Sequence, residues 1–344
     1  MTCPDNFSSE SALDDWLTRP CARLIEFVRT LSSPLVILGA GGKMGPTLAV
    51  LARRAAEAAQ HPLEVIAASR FSDPRIRGWL EERGVRTCSV DLLEADGVGR
   101  LPDAQNVVYM VGLKFGTSQA PALTWAVNTL VPERVAARYP QARIAAISTG
   151  NVYPLAEVRC GGSVEADPLH PLGEYANAAV ARERLFEYAS RRQNTPVVLL
   201  RLFYAVELRY GVIADLARRI QAGIPIPLAN GWFNCIWQGD ANAMILRALG
   251  LAASPPAVWN LCRPELFSVR EVASKLGTFL GRAPEFTGAE SQTALLGNAA
   301  PLCRTLGEPP TRIDTIIRWV ADWVKSGGRS LERPTHFEVR DGQY

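Results

Sequence analysis

The chain alternates short, almost wholly apolar runs with longer stretches in which apolar residues return every three or four positions. LVILG, after Pro34, is a run of the first kind; it breaks at GAGGKMG and gives way to TLAVLARRAAEAA, a strong helix former. That order predicts strand, glycine turn, helix. The alternation continues with LEVIAASR as a strand, DPRIRGWLEERG as a helix, VRTCSVDL and NVVYMVGL as strands, and a helix from about Ala122 to Tyr139. Strand ARIAAISTG, a helix from about Tyr175 to Arg191 and strand PVVLLRLF follow. Strands this apolar, separated by helices, predict a parallel sheet covered on both faces. Residues 34–204 are therefore expected to form a Rossmann-type, doubly wound α/β domain, with its ligand at the carboxyl ends of the strands.

The flanks are less regular. SALDDWLTRPCARLIEFVRTL, residues 11–31, has apolar residues at helical spacing, Ser11 as a candidate N-cap and Pro20 in the middle, so residues 1–33 read as an extension of two short helices packed on the outside. After Phe203 the pattern loosens. Residues 205–328 predict a smaller α/β substrate lobe, with CIWQGDANAMILRAL and VWNLC, near 232–262, returning to the main sheet. The end of the chain, residues 329–344, is polar and expected to be loosely ordered.

Composition narrows the functional classes. With 344 residues, 48% hydrophobic and 21% charged, the chain can bury a sizeable core. Its 37 basic and 34 acidic residues are scattered, with no basic run to follow a phosphate backbone, which argues against nucleic acid as a partner. No apolar segment reaches the ~20 residues of a membrane span. The start, MTCPDNFSSESALDDW, has no charged and apolar leader pattern, so cytoplasmic residence is expected. Seven cysteines without a close CxxC pair, and three isolated histidines, predict neither a disulfide framework nor a metal site.

GAGGKMG sets Gly39, Gly42 and Gly45 at GxxGxxG spacing between a strand and a helix. There glycine permits a tight turn and lets a pyrophosphate approach the helix N-terminus, whose unpaired N–H groups favour an anion; Lys43 and Met44 lie in the same turn. An acid at the end of the second strand would grip the ribose diol of NAD. Ala67, Ala68, Ser69 and Arg70 stand there instead, and the hydroxyl and guanidinium of Ser69 and Arg70 suit a 2′-phosphate, pointing to NADP with NAD as the alternative.

These residues resemble the extended short-chain dehydrogenase/reductase family, the NAD(P)-dependent sugar epimerases and dehydratases, from about Leu35 to Val324. VDL, with Asp91 and Leu92, resembles the adenine-contacting Asp-Leu; GLK, Gly112 to Lys114, resembles the loop after the fourth strand; Asn128 stands where a helix asparagine is usual. STGNVY, Ser148 to Tyr153, resembles Ser-Ser-x-x-Val-Tyr and puts Thr149 at the catalytic Ser/Thr position, with Asn151 and Tyr153 beside the substrate. PLGEYANAAVARE resembles Pro-x-x-Tyr-x-x-x-Lys-x-x-x-Glu, matching Tyr175 as acid or base and Glu183. Arg201, Asp240 and Asn260 also fall on familiar places.

Two departures matter. The asparagine and proline usual after the sixth strand are replaced by Tyr204, Ala205 and VELRYG, and Ala179 stands at the lysine position. The resemblance gives that lysine two jobs, lowering the tyrosine pKa and holding the nicotinamide ribose; an ordinary tyrosine, at about 10, is only ~0.1% phenolate at neutral pH. Three readings stand. Arg182, Lys43 or Lys114 supplies the cation; or the reaction is a ketone reduction that uses the phenol; or the chain is a catalytically impaired sensor or scaffold that binds NAD(P). The substrate expected is a sugar, sugar acid or related hydroxy or keto compound, with Arg209 pairing a carboxylate or phosphate and Trp237 offering a stacking face. The resemblance further implies a homodimer through the helices flanking Tyr175.

Overall fold

A computed structural model describes residues 4–114, 116–332 and 335–343; Cys3 and the tail residues Arg333, Pro334 and Tyr344 lie outside them. Seven parallel strands form the central sheet: β1 Leu35–Leu38, β2 Val65–Ser69, β3 Arg86–Ser89, β4 Asn106–Tyr109, β5 Arg143–Thr149, β6 Val197–Leu202 and, after short strands outside the sheet that include β7 (Tyr204–Val206) and β8 (Cys235–Trp237), β9 Ala257–Leu261. Their order is β9-β6-β5-β4-β1-β2-β3, with Leu35 of β1 opposite both Val65 and Asn106. The chain builds outward from β1 through β2 to β3 and then returns to lay β4 on β1's other side. This reversal opens a crevice at the carboxyl ends of β1 and β4, where doubly wound sheets bind their ligands.

Helices cover both faces because each carries an apolar stripe at helical spacing. On one face α2 (Ala22–Val28), α3 (Gly45–Ala58) and α8 (Gln238–Ala248) bury Leu24, Leu48, Leu51 and Ile245; on the other α5 (Pro121–Arg138) and α6 (Gly173–Gln193) bury Val131, Val135 and Phe186. A second core joins α1 (Glu10–Leu17), α7 (Val212–Ala222), α9 (Val269–Leu280) and α11 (Ile313–Lys325) around Trp237 and Trp319, whose rings are 5.2 Å apart.

Three expectations change. Of the segments near 232–262 only β9 enters the main sheet; β8 (Cys235–Trp237) pairs in parallel with β7 (Tyr204–Val206), and the residues after it are helix α8 on α3. The N-terminal helices are not simply outside: Leu13 and Leu17, four residues apart, are fully buried in the second core, and α1 starts early, capped by Ser9, which accepts from Ala12 N at 3.2 Å. The polar tail is irregular but anchored. Phe337 is buried in the second core, Thr335 donates to Asp215 at 2.5 Å and Arg340 donates to Thr293 O at 2.6 Å.

Candidate active site

The glycine turn follows from what a side chain would meet. Gly39 has φ +79°, and a Cβ there would stand 2.9 Å from the Met110 carbonyl and Val111 N, because the ends of β1 and β4 touch. A Cβ at Gly45 would lie 2.6 Å from Ala40, so α3 begins tight against the turn. No side chain caps α3, and Pro46 sits in its first turn, which leaves first-turn N–H groups for an anion. Met44 turns its side chain into the core. These features fit the pyrophosphate of a dinucleotide.

Around the turn, Ser69 closes β2 beside Gly41, whose Cβ would meet its Oγ at 2.7 Å. The Arg70 side chain, 67% exposed, lies 3.9 Å from the Asp91 carboxylate, which also accepts from Leu93 N at 2.9 Å. Leu92 packs in the core below. Gly112 is exposed just past β4, and burial pushes the Lys114 ammonium down to about 8. Lys43 turns toward the segment after β6: its Nζ donates to Ala205 O at 2.7 Å and stands 4.1 Å from the centre of the Tyr210 ring. Burial pushes that ammonium down to about 7, against the pull of Glu207.

Thr149 ends β5. Its hydroxyl donates to Asn151 Oδ1 at 2.9 Å and accepts from Asn151 N at 3.2 Å, so the asparagine fixes the threonine rather than standing apart from it. Tyr175, 8% exposed, lies in the first turn of α6, and α6 packs against residues 150–152. Strand end and helix start thus bring the threonine and tyrosine segments to one edge of the sheet.

Ala179 is wholly buried in an apolar cluster with Val152, Tyr153, Phe203, Cys262 and Leu295. Phe203 fits between Gly150 and Gly297, where a Cβ at either would run into its ring. One turn further on, Arg182 is not solvated but 3% exposed. Its Nη1 donates to Asn128 Oδ1 at 2.9 Å and to Val111 O at 3.3 Å.

Below Thr149 runs a buried polar network. Glu183 accepts from Ser148 Oγ at 2.5 Å and pairs with Arg201 at 2.7 Å; Arg201 Nη1 donates to the Tyr153 hydroxyl at 2.5 Å, which donates to Asn260 Oδ1 at 3.0 Å. This corrects Tyr153 as a substrate contact: it is 2% exposed and its hydroxyl is already engaged. Trp237, 1% exposed against Trp319, offers no stacking face. Arg209 is no open anion site either, since Glu10, Asp14 and Glu207 lie 3.3, 3.0 and 3.2 Å from its guanidinium. It lines a cavity of about 530 Å³ beside Gly41, Gly42 and Lys43, with Trp79 and Arg329 on other walls. The sequence reading missed the depth of the Ser148 and Asn260 contacts. A polar residue within an otherwise apolar strand, as in both cases, is the signal that could have found them.

By sequence, no curated protein matches the chain. Similar folds include UDP-glucuronic acid 4-epimerase from Bacillus cereus, in complex with UDP-glucuronic acid and NAD, at 17% identity over 85% of this chain and 99% of that one with a TM-score of 0.69. dTDP-glucose 4,6-dehydratase from Bacillus anthracis, in complex with NAD, gives 14% identity over 86% and 97% with a TM-score of 0.72. The UDP-glucose 4-epimerase complex with NAD from Thermus thermophilus gives 19% over 84% and 98% with a TM-score of 0.66. The model of the NAD dependent epimerase/dehydratase family matches residues 35–262, most of the chain, and to that family, of the extended short-chain dehydrogenase/reductase type, the chain belongs.

Proposed function

We propose that this chain moves hydride between NADP and a carbon of a sugar, sugar acid or related hydroxy or keto compound, with Tyr175 as acid or base. The observation that supports the reading is the packing of α6, whose first turn carries Tyr175, against residues 150–152, which follow Thr149 at the carboxyl end of β5, two strands from β1 and its glycine turn. A bound nicotinamide supplies the hydride donor or acceptor. The Tyr175 phenol hands a proton to the reacting oxygen, or its phenolate takes one from it, and Thr149, steadied by Asn151, supports the same oxygen. With apolar contacts around Ala179, ketone reduction, which draws on the phenol form, suits this site better than oxidation.

NADP is favoured by the missing acid at the end of β2 and by the Ser69 hydroxyl and exposed Arg70 guanidinium in its place, although the solved relatives hold NAD. Sugar substrates are favoured by the UDP-sugar in a solved relative. A homodimer through α5 and α6 is supported by the exposed Leu123, Trp125, Leu130 and Tyr188 on those helices; a monomeric mass by light scattering would remove it. The function is tested by calorimetric titration with NADP and NAD, followed by reduction assays on a panel of keto-sugars and keto-acids. Turnover supports the reading. Tight cofactor binding without turnover of any panel member favours a sensor or scaffold, the reading that the apolar packing of Ala179 also allows, and binding of neither dinucleotide refutes both.

A further inference from the structure

Arg182 is a buried guanidinium without a counter-ion among the described residues. Only its Nη1 has hydrogen-bond partners there, and both are neutral: the Asn128 side-chain oxygen and the Val111 carbonyl. Its Nε is buried with no partner among the described residues. The neighbouring carboxylate in sequence, Glu183, turns the other way to Arg201. Tyr109 also faces Arg182, but burial raises that phenol well above its ordinary value, so it stays neutral, and its hydroxyl too has no partner among the described residues. A buried charge left uncompensated costs several kcal/mol, and unmet donors in a native interior call for an explanation.

The position supplies one. Nη1 stands only 2.8 Å from where a Cβ at Gly112 would be, so the guanidinium lies against the backbone just past β4, at the carboxyl edge of the sheet. In the order β9-β6-β5-β4-β1-β2-β3, the side of the crevice toward β4 and β5 is opposite the β2 end expected to hold the adenosine. Tyr175, Ala179 and Arg182 are spaced i, i+4 and i+7 on α6 and share a face, and helical side chains lean toward the N-terminus, back toward the alanine.

We propose that Arg182 is the positioning residue that replaces the absent lysine, donating to oxygens of the nicotinamide half of the dinucleotide from beneath the end of β4. The inference rests on the cofactor reading above and adds which half of the cofactor the guanidinium serves. Gly112 belongs to the same device, because a side chain there would displace the guanidinium.

The test compares two ligands by calorimetry: the whole dinucleotide, and its adenosine half alone (adenosine 2′,5′-bisphosphate for NADP, AMP for NAD). Arg182→Met is expected to weaken the whole dinucleotide about tenfold or more while leaving the adenosine half unchanged, and Arg182→Lys to recover most of the loss. A merely structural arginine would weaken both ligands together or neither, and either result overturns the proposal. If Arg182→Met does not fold, Arg182→Gln, which can keep the Asn128 contact without the charge, takes its place: loss of the whole dinucleotide alone supports the proposal, and loss of both ligands or of neither overturns it. Should the wild type bind no dinucleotide, the cofactor reading fails first, in the unmutated chain, and this proposal falls with it.

Discussion

Placing a lysine at position 179 asks most directly whether the surroundings of Ala179 can hold the cation that the resemblance expects there. Ala179 is fully buried and touches an apolar cluster, so a longer side chain must displace Val152, Phe203 or Leu295. Ala179→Met imposes that bulk without charge and is expected to cost about 1–3 kcal/mol. Ala179→Lys adds an ammonium in the same surroundings. If burial lowers its pKa by about three units, at 1.36 kcal/mol per unit, the lysine variant is less stable than the methionine variant by a further ~4 kcal/mol at pH 7. The sign follows from linkage: the unfolded lysine keeps its proton to about pH 10.4 while the folded one loses it earlier, so the gap is full at neutral pH and narrows as pH rises toward 10. Urea unfolding of both variants at pH 7, 8.5 and 10, followed by tryptophan fluorescence, measures it. Equal stability of the two variants, unchanged with pH, would refute the reasoning, because the ammonium would then have found water or an anion and the ordinary lysine site would still exist.

Three further outcomes are expected. Arg201→Met leaves Glu183 buried and unpaired and should cost about 3–5 kcal/mol in urea unfolding, much of which Arg201→Met combined with Glu183→Leu should recover; a loss under 1 kcal/mol for the single variant would mean that water reaches the pair. Gly39→Ala places a Cβ against the Met110 carbonyl at positive φ, so it should destabilise by about 1–3 kcal/mol and abolish calorimetric binding of the dinucleotide, and unchanged binding would mean the turn is not the cofactor's. Burial raises the Asp240 carboxyl to about 6, with the Thr311 N–H opposing. Its folded-state pKa lies above the unfolded value of about 3.9, so its contribution is fully present below pH 4 and is lost as pH rises through 6; Asp240→Asn should flatten stability against pH in that window, and an unaltered slope would contradict the assignment.

Much of the fold was legible because it is local. Apolar four-residue strands, the three glycines and the helical stripes after them each carry their own signal, and seven strands follow one another as their patterns imply. The positions of Thr149 and Tyr175 were legible for the same reason, since one ends a strand and the other starts a helix. What failed depended on distant partners. Arg209 meets Glu10 across 199 positions, and Lys43 meets Ala205 across 162; no periodicity records such a pairing, and a lone cation in a sequence reads equally well as a ligand contact. Trp237 misled similarly, because an aromatic residue at a strand end looks the same whether it meets a sugar or Trp319. In the tail a single buried ring, Phe337, offsets a polar composition that by itself argues for disorder.

Segments from either side of the family match meet a segment within it at one place. Helix α1 brings Glu10 and Asp14, the tail brings Arg329 and Leu331, and the segment after β7 brings Glu207, Arg209 and Tyr210, all to the side of the glycine turn that carries Lys43. Leu331 N donates to Arg209 O at 3.1 Å and Arg329 reaches Glu10 at 3.3 Å, so α1, the tail and the segment after β7 hold one another. Three carboxylates this close to the glycine turn would repel any anion there if left alone, since burial strengthens their field. Arg209 touches all three, Arg329 adds a second charge at the rim, and Lys43 supplies a third only while it keeps its proton, which burial makes harder near pH 7. The guanidinium that the sequence offers as a substrate anchor is therefore matched within the fold, and its effect on an anion is indirect: it neutralises the acidic wall that α1 and Glu207 form beside the glycine turn.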